Sequence, residues 1–119
     1  MTSRSERRRR SLIPAALLAL ALSAQSSLAT EAHALGEAEY EVQHYAAALA
    51  AFERAGEAGD LRAQEIAGLM HLYGSGLYGA QVPRDEKRAE AWLVRAALQG
   101  SEAARAILAR RLAIPCHAL

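Results

Sequence analysis

A pattern of small and apolar residues occurs twice in this chain, at a constant offset of 41 residues. The first copy begins at Ala48 and the second at Ala89; each continues with a large apolar residue, an arginine followed by alanine, and a closing glycine. Upstream of each copy, a segment with helical spacing carries one internal glycine, Gly36 or Gly68. A helix pair that recurs at such a period is typical of an α-solenoid, because one pair cannot bury its apolar face alone and neighbouring pairs stack.

Apolar residues at helical spacing predict helices over residues 31–41, 45–55, 61–73, 86–99 and from 102 to a stop at Pro115. Asp60, Asp85 and Ser101 stand just before three of these helices, and we predict them as N-caps because their side-chain oxygens can accept free backbone N–H groups. Residues 74–84 hold three glycines and a proline without any period, which indicates a loop. No segment alternates apolar and polar residues, so the predicted fold class is all-α.

The same spacing predicts which faces are buried. The first helix is expected to bury Ala32, Leu35, Ala38 and Val42. The third is expected to bury Ala63, Ala67, Met70 and Gly74, and the fourth Ala89, Trp92, Leu93, Ala96 and Ala97. Gly68 and the alanines allow two helix axes to approach closely, and we expect Trp92 to cover the seam.

Charge is distributed unevenly along the chain. Five of the fourteen basic residues, Arg4 and Arg7–Arg10, precede the first apolar run. From Thr30 onward nine Lys/Arg stand against twelve Asp/Glu, a net charge of −3. Because the folded part is mildly acidic and has no basic stripe, nucleic-acid binding is not predicted.

Residues 1–29 have the organisation of a signal peptide: a positive segment, the apolar run Leu12–Leu22, and small residues before a cleavage site after Ala29. Cleavage after Ala34 is an alternative, but it would cut into the first predicted helix. An N-terminal anchor helix is another, but the apolar run is shorter than the roughly 20 residues a membrane span needs. We therefore expect an exported protein, periplasmic or secreted, with no stable membrane span after cleavage. The general secretory route is preferred to the twin-arginine route.

Residues 63–100 contain Gly74-x-Gly76, Val82-Pro83-x-Asp85 and Ala96-Ala97-x-Gln99-Gly100 in that order. With these elements, the segment resembles one Sel1-like repeat, a relative of the tetratricopeptide repeat. The residues that carry the repeat signature are Gly68, Gly74, Gly76, Asp85, Ala89, Trp92, Ala96 and Gly100. The segment departs from the family by an insertion, Leu77–Gln81, about five residues longer than the family's tight connection.

The resemblance implies an α/α solenoid of antiparallel helix pairs spanning residues 30–119. It would contain about two and a half repeats: residues 31–60, which are closer to the plain tetratricopeptide pattern, residues 61–100, and a last helix over 101–113. The family's concave face holds proteins or peptides, and the first helix of each pair lines it. The implied partner-binding residues are Tyr40, Glu65, Leu69, Leu72 and, as an exposed aromatic on the insertion, Tyr78. The alternative for Leu69 and Leu72 is packing on the neighbouring repeat.

Four histidines and one cysteine raise the question of a metal site. His33, His44 and His71 fall on separate predicted helices or their ends, and Cys116 adjoins His117 near the end of the sequence. A tetrahedral site needs about four convergent ligands, and no spacing provides them. We expect surface histidines, no metal and no cofactor.

No catalytic constellation is predicted either. The carboxylates Glu31, Glu37, Glu39 and Glu41 are interpreted as the solvated face of a helix rather than an acid–base pair. Cys116 is the single cysteine, so it forms an intermolecular disulfide or none. Some exported Sel1-like proteins carry a disulfide in each repeat and have been linked to antibiotic-hydrolysing activity, but this sequence lacks those cysteines.

The expected function is therefore a non-catalytic module that binds a peptide or protein partner. An exported hydrolase and a structural docking subunit of a larger envelope assembly remain as alternatives. We also expect a homodimer or a partner at the C-terminal helix, because one neighbouring hairpin cannot cover its apolar residues Ile107, Leu108, Leu112 and Ile114. The rival prediction is that this helix folds back fully over the fourth.

Overall fold

The structure, a computed structural model, describes residues 14–111. Within this range the chain forms six α-helices and one 3₁₀ helix and no strand, which confirms the all-α prediction. The α-helices are α1 (Ala15–Glu41), α2 (Tyr45–Glu57), α3 (Leu61–Tyr73), α4 (Ser75–Tyr78), α5 (Glu86–Leu98) and α6 (Glu102–Arg111), and the 3₁₀ helix is Gly79–Gln81. The predictions on Arg7–Arg10, Leu112, Ile114, Pro115, Cys116 and His117 lie outside the described residues.

The starts of α3, α5 and α6 are set by side-chain caps. Asp60, Asp85 and Ser101 each accept the backbone N–H three residues later, at 2.9, 3.0 and 3.0 Å respectively. Each cap satisfies one of the N–H groups that have no partner within the helix. The three predicted N-caps are confirmed.

Helix α1 differs most from its prediction. It is 27 residues long and starts at Ala15 instead of near Glu31, so it includes residues 15–22 of the apolar run. Its buried residues are Ala29, Ala32 and Gly36. The leucines before this packed part, Leu17, Leu18, Leu20, Leu22 and Leu28, are each more than half exposed. No helix among the described residues is long and apolar enough to cross a bilayer.

The predicted buried face of α1 is wrong except at Ala32. Leu35 and Ala38 are exposed, and Val42 is 60% exposed. The helix turns Gly36 towards α2 instead, where a methyl group at Gly36 would lie 2.7 Å from the ring of Phe52. Because the ring fits only where a side chain is missing, the glycine decides which face of α1 is buried.

The contact between Gly36 and Phe52 has a counterpart between α3 and α5. A methyl group at Gly68 would lie 2.8 Å from Cγ of Leu93. Phe52 and Leu93 occupy equivalent positions in the internal repeat, 41 residues apart. We call these two contacts the glycine sockets: in each, the first helix of a pair offers a glycine and the second helix fills it.

Trp92 joins the two helix pairs, as predicted. Its ring is buried against Gly56 of α2, where a methyl group would lie 2.8 Å from the indole. The Arg95 guanidinium lies 4.8 Å from the ring centroid, in cation–π geometry. Nearby, Gln64 Nε2 donates to the carbonyl of Gly56 at 2.9 Å, so the seam combines aromatic packing with a buried hydrogen bond.

The segment predicted as a loop, residues 74–84, contains both α4 and the 3₁₀ helix. Gly74 adopts φ +49°, and a side chain there would overlap the backbone of Arg84. The glycine thus lets the chain turn tightly and return, and the turn directs Tyr78 inward. Val82 is fully buried, which anchors the far end of the segment.

Helix α6 packs on α5. Ala104 joins Leu93 and Ala96 in a small core cluster, and Ile107 and Leu108 pack against it half-buried. Part of the apolar surface expected to need a second copy is therefore covered within the chain. The homodimer stays a prediction.

Candidate functional site

An open pocket lies between α1 and α3, with a cavity volume of about 450 Å³. We call it the α1–α3 pocket. Helix α1 supplies three lining residues, α3 two, and α2 and α4 one each. They are Glu37, Tyr40, Glu41, Phe52, Ile66, Leu69 and Tyr78.

Helical spacing explains how the sequence builds this pocket. Positions 37, 40 and 41 are separated by three and four residues, so their side chains share one face of α1. That face adjoins the Gly36 socket, which places the Phe52 ring at the floor. Ile66 and Leu69 are likewise three residues apart on α3, and both are half-buried beside its core face. The lining thus has an apolar floor and carboxylates on one helix.

Three tyrosines form a cluster beside the pocket, and two of them, Tyr40 and Tyr78, line it. The ring centroids of Tyr40 and Tyr45 lie 5.2 Å apart, those of Tyr40 and Tyr78 5.9 Å, and those of Tyr45 and Tyr78 5.0 Å. All three pairs are edge-to-face, an arrangement that aromatic quadrupoles favour. The Tyr40 hydroxyl donates to the Tyr78 hydroxyl oxygen at 3.3 Å. Burial raises the pKa of Tyr78 well above its usual value of 10.0.

The structure brings together Tyr40, Leu69 and Tyr78 from the predicted partner-binding set. The expectation that Tyr78 is exposed is wrong: the residue is 8% exposed, because α4 turns its ring onto Tyr45. Its hydroxyl end nevertheless borders the pocket beside Tyr40.

Glu65 and Leu72 do not line the pocket. The Glu65 carboxylate accepts a hydrogen bond from the Ser101 hydroxyl and lies 3.5 Å from Arg62 Nη1. It therefore ties α3 to the start of α6. Leu72 is half-buried away from the other candidates.

Sequence reasoning missed Glu37, Glu41, Phe52 and Ile66 as lining residues. The two glutamates were assigned to a solvated helix face; both are exposed, yet they stand at the edge of the pocket. The indication in the sequence was their spacing: Glu37 and Glu41 are four residues apart and lie on the same helix face as Tyr40. Phe52 and Ile66 carried only a core-type pattern, which cannot distinguish a sealed position from the floor of an opening.

The electrostatics of the pocket are one-sided. The lining holds two carboxylates and no lysine, arginine or histidine. Glu37 lies 3.3 Å from His33 Nε2, while Glu41 makes no ion pair with another described residue. The last turn of α1 carries no basic residue, so the negative end of the helix dipole adds to these charges.

The expectation of surface histidines holds for His44 and is wrong for His71. His71 is 5% exposed, and its Nε2 lies 2.6 Å from Glu53 Oε1 on α2. His33 is half-buried, with Nδ1 at 2.8 Å from Asp60 Oδ2. Both are drawn inward because a carboxylate on a neighbouring helix satisfies one ring nitrogen. Within residues 14–111, no three His, Cys, Asp or Glu side chains converge as metal ligands.

A second opening lies between α2 and α5, with a volume of about 490 Å³. Its charges are mixed and largely satisfied: Arg95 Nη1 lies 3.0 Å from Glu57 Oε1, and Glu53 is held by His71. Trp92 fills its floor. It therefore lacks the one-sided potential of the α1–α3 pocket.

Comparisons with protein-family models, with curated proteins and with solved structures each gave no match.

Proposed function

We propose that this protein is a non-catalytic binding module that holds a peptide or a segment of another protein in the α1–α3 pocket. The proposal includes the architecture: a short Sel1-like, tetratricopeptide-like stack of about two and a half helix pairs. The repeated glycine sockets support it, since in each pair the residue at the same position of the internal repeat, Phe52 or Leu93, packs on a glycine of the first helix. In such a stack α1 and α3 are the first helices of their pairs, so the pocket between them lies on the concave side.

The observation that carries the proposal is the composition of the pocket. Apolar and aromatic side chains form its floor, polar groups stand at its edge, and its volume of about 450 Å³ is open to solvent. Such a mixture is typical of ligand sites. The lining contains no serine, cysteine or histidine, and its two carboxylates are exposed to solvent at the edge, which favours binding over hydrolysis.

Export is part of the same proposal. The first buried residue of α1 is Ala29, and the apolar residues before it are exposed. Cleavage after Ala29 would therefore remove a segment whose described residues are exposed except Ala29 itself, and would leave the buried residues Ala32 and Gly36 in the mature helix. This coincidence between the packing boundary and the proposed cleavage site supports periplasmic or secreted localisation.

A peptide library displayed on phage tests the binding role. We expect selection on the purified protein to enrich clones whose binding is lost with Leu69→Glu, because the new carboxylate would enter the apolar floor. Leu98→Glu is the matched control, since Leu98 is 83% exposed on α5 and outside the pocket. Failure to enrich any clone, or clones that bind both variants equally, would contradict the proposal.

A further inference from the structure

The α1–α3 pocket has an unbalanced charge at its edge and unsatisfied hydrogen-bonding capacity inside. Glu37 and Glu41 are four residues apart on one helix face, where like charges repel each other. They stand near the C-terminal end of α1, whose last turn has no basic residue to offset the helix dipole. A cation placed at this edge would relieve both effects.

The aromatic wall of the pocket also suits a cation. Tyr40 and Tyr78 line it, and a lysine or arginine head is attracted to the face of an aromatic ring within about 6 Å of its centroid. The two hydroxyls share one hydrogen bond, so one of their two hydrogens has no partner among the described residues. That hydrogen is available to an acceptor such as a peptide carbonyl.

Below the charged edge, the floor is apolar. Phe52, Ile66 and Leu69 provide it, and the total volume of about 450 Å³ lies at the low end of the ~300–1,000 Å³ typical of ligand pockets. A space of this size holds a few side chains and is too small for a helix.

We propose that the α1–α3 pocket takes a segment of a partner protein in which an arginine or lysine is flanked by large apolar side chains. This inference rests on the proposed function and adds the chemistry of the partner. The basic head lies between Glu37, Glu41 and the Tyr40 ring, and the apolar neighbours pack on Ile66 and Leu69, the half-buried apolar residues of the lining.

Three blocked pentapeptides test the proposal by calorimetric titration of the protein as purified: Ser-Leu-Arg-Leu-Ser, Ser-Leu-Glu-Leu-Ser and Ser-Gly-Arg-Gly-Ser. We expect the first to bind at least about tenfold more tightly than either of the others, because only it satisfies both the edge and the floor. Raising sodium chloride from about 50 to about 500 mM should weaken it, since the charges at the edge are exposed and screened.

A variant without the two carboxylates, with a matched control, tests whether the edge of the pocket binds the arginine. Glu37→Gln combined with Glu41→Gln should lower the affinity for the arginine peptide about tenfold, as expected for two partly exposed ion pairs. Glu90→Gln combined with Glu102→Gln removes the same charge from exposed positions on α5 and α6 and should leave the affinity unchanged.

The outcomes separate this inference from the proposed function. Phage clones that depend on Leu69 but carry no basic residue would overturn the partner chemistry and leave the binding role standing. Equal affinity for the arginine and glutamate peptides would overturn it too. Self-association of the protein that is lost with the double Gln variant would assign the pocket to a second copy and refute a separate partner. Clones that bind the wild-type protein and the Leu69→Glu variant equally would refute both proposals.

Discussion

The two helix pairs use the same contact in different surroundings. In the α3–α5 pair, Leu93 fills the Gly68 socket and is sealed by Ala96, Ala104 and the half-buried side chains of α6. In the α1–α2 pair, Phe52 fills the Gly36 socket and is just as buried as Leu93, but its ring borders an open pocket. The same glycine contact is therefore enclosed in the α3–α5 pair and borders an open pocket in the α1–α2 pair. The difference lies in the neighbours of the socket rather than in the socket.

The first helices of the two pairs also differ in length. Helix α3 has 13 residues and is packed along its length, whereas α1 has 27 and packs only from Ala29 onward. The first pair thus carries an exposed N-terminal segment, residues 15–28, that has no counterpart in the second pair.

The largest expected effect follows from the proposed signal peptide, residues 1–29. Leu18→Arg should block export entirely, because a charge in the apolar run prevents its recognition as a signal peptide. The wild-type protein should begin at Thr30 when its intact mass is measured, and the variant should accumulate as a longer precursor. Leu98→Arg, the same change at an exposed position on α5, should be processed normally. Wild-type protein that begins at Met1 in the cytosol would show that the segment is not a signal peptide.

Next in size is the loss of the seam between the pairs. Trp92→Ala should lower the free energy of unfolding by about 3–5 kcal/mol, as for other buried aromatic truncations. Domains of this size are stable by about 5–15 kcal/mol, so much of the protein should be unfolded, as measured by urea denaturation. Leu98→Ala should change stability by less than about 0.5 kcal/mol because its side chain is exposed. An unchanged denaturation midpoint for Trp92→Ala would mean that the indole does not hold the pairs together.

The two sockets can be compared directly by adding one methyl group to each. Gly68→Ala should cost about 1–3 kcal/mol, since Leu93 is enclosed and cannot move away. Gly36→Ala should cost less, because the Phe52 ring can shift into the open pocket, and the gain in helix propensity of about 0.5–1 kcal/mol offsets part of the clash.

Chemical denaturation of both variants checks this ranking. Gly76→Ala is the control, since no atom lies within 4 Å of a methyl group at that position. Equal losses at positions 36 and 68 would contradict the distinction between an open and a sealed socket.

The smallest expected effect concerns Tyr78. This residue lies between α3 and α5, the helices of the second pair, and lines the α1–α3 pocket. Burial raises its pKa above the usual 10.0, so the folded state keeps a proton that the unfolded chain releases. Stability is therefore fully present below about pH 10 and falls as the pH rises further. Tyr78→Phe should reduce the loss of stability between about pH 9 and about pH 11, as measured by urea denaturation at both pH values. An unchanged decline would mean that the phenol is accessible to solvent.

Much of the helical fold could be predicted from the sequence because its determinants are local. Asp60, Asp85 and Ser101 cap helices by contacts three residues away, and the alternation of alanines with large residues marks the buried face of α3 and α5. The internal repeat also indicated that Phe52 and Leu93 are equivalent. Each of these rests on neighbours within a turn or on self-similarity.

The remainder depends on contacts between distant segments. Leu35 and Val42 looked like core residues of α1, but the missing side chain of Gly36 decided the orientation. His71 looked like a surface residue until Glu53, 18 positions earlier, provided its partner. Tyr78 lies in a glycine-rich segment whose fold no periodicity reveals. The α1–α3 pocket is lined by seven residues from four helices that lie far apart in the sequence. Because local patterns do not show which helices meet, the sequence identified only Tyr40, Leu69 and Tyr78 among them.

We propose that the α1–α3 pocket, and not the opening between α2 and α5, binds the partner of this protein. Amide chemical shifts of the ¹⁵N-labelled protein, followed during titration with the Ser-Leu-Arg-Leu-Ser peptide, distinguish the two openings. We expect saturable shifts at Tyr40, Leu69 and Tyr78, with Arg54 and Arg95 unaffected. Shifts centred on Arg54 and Arg95, with the pocket residues unmoved, would contradict it.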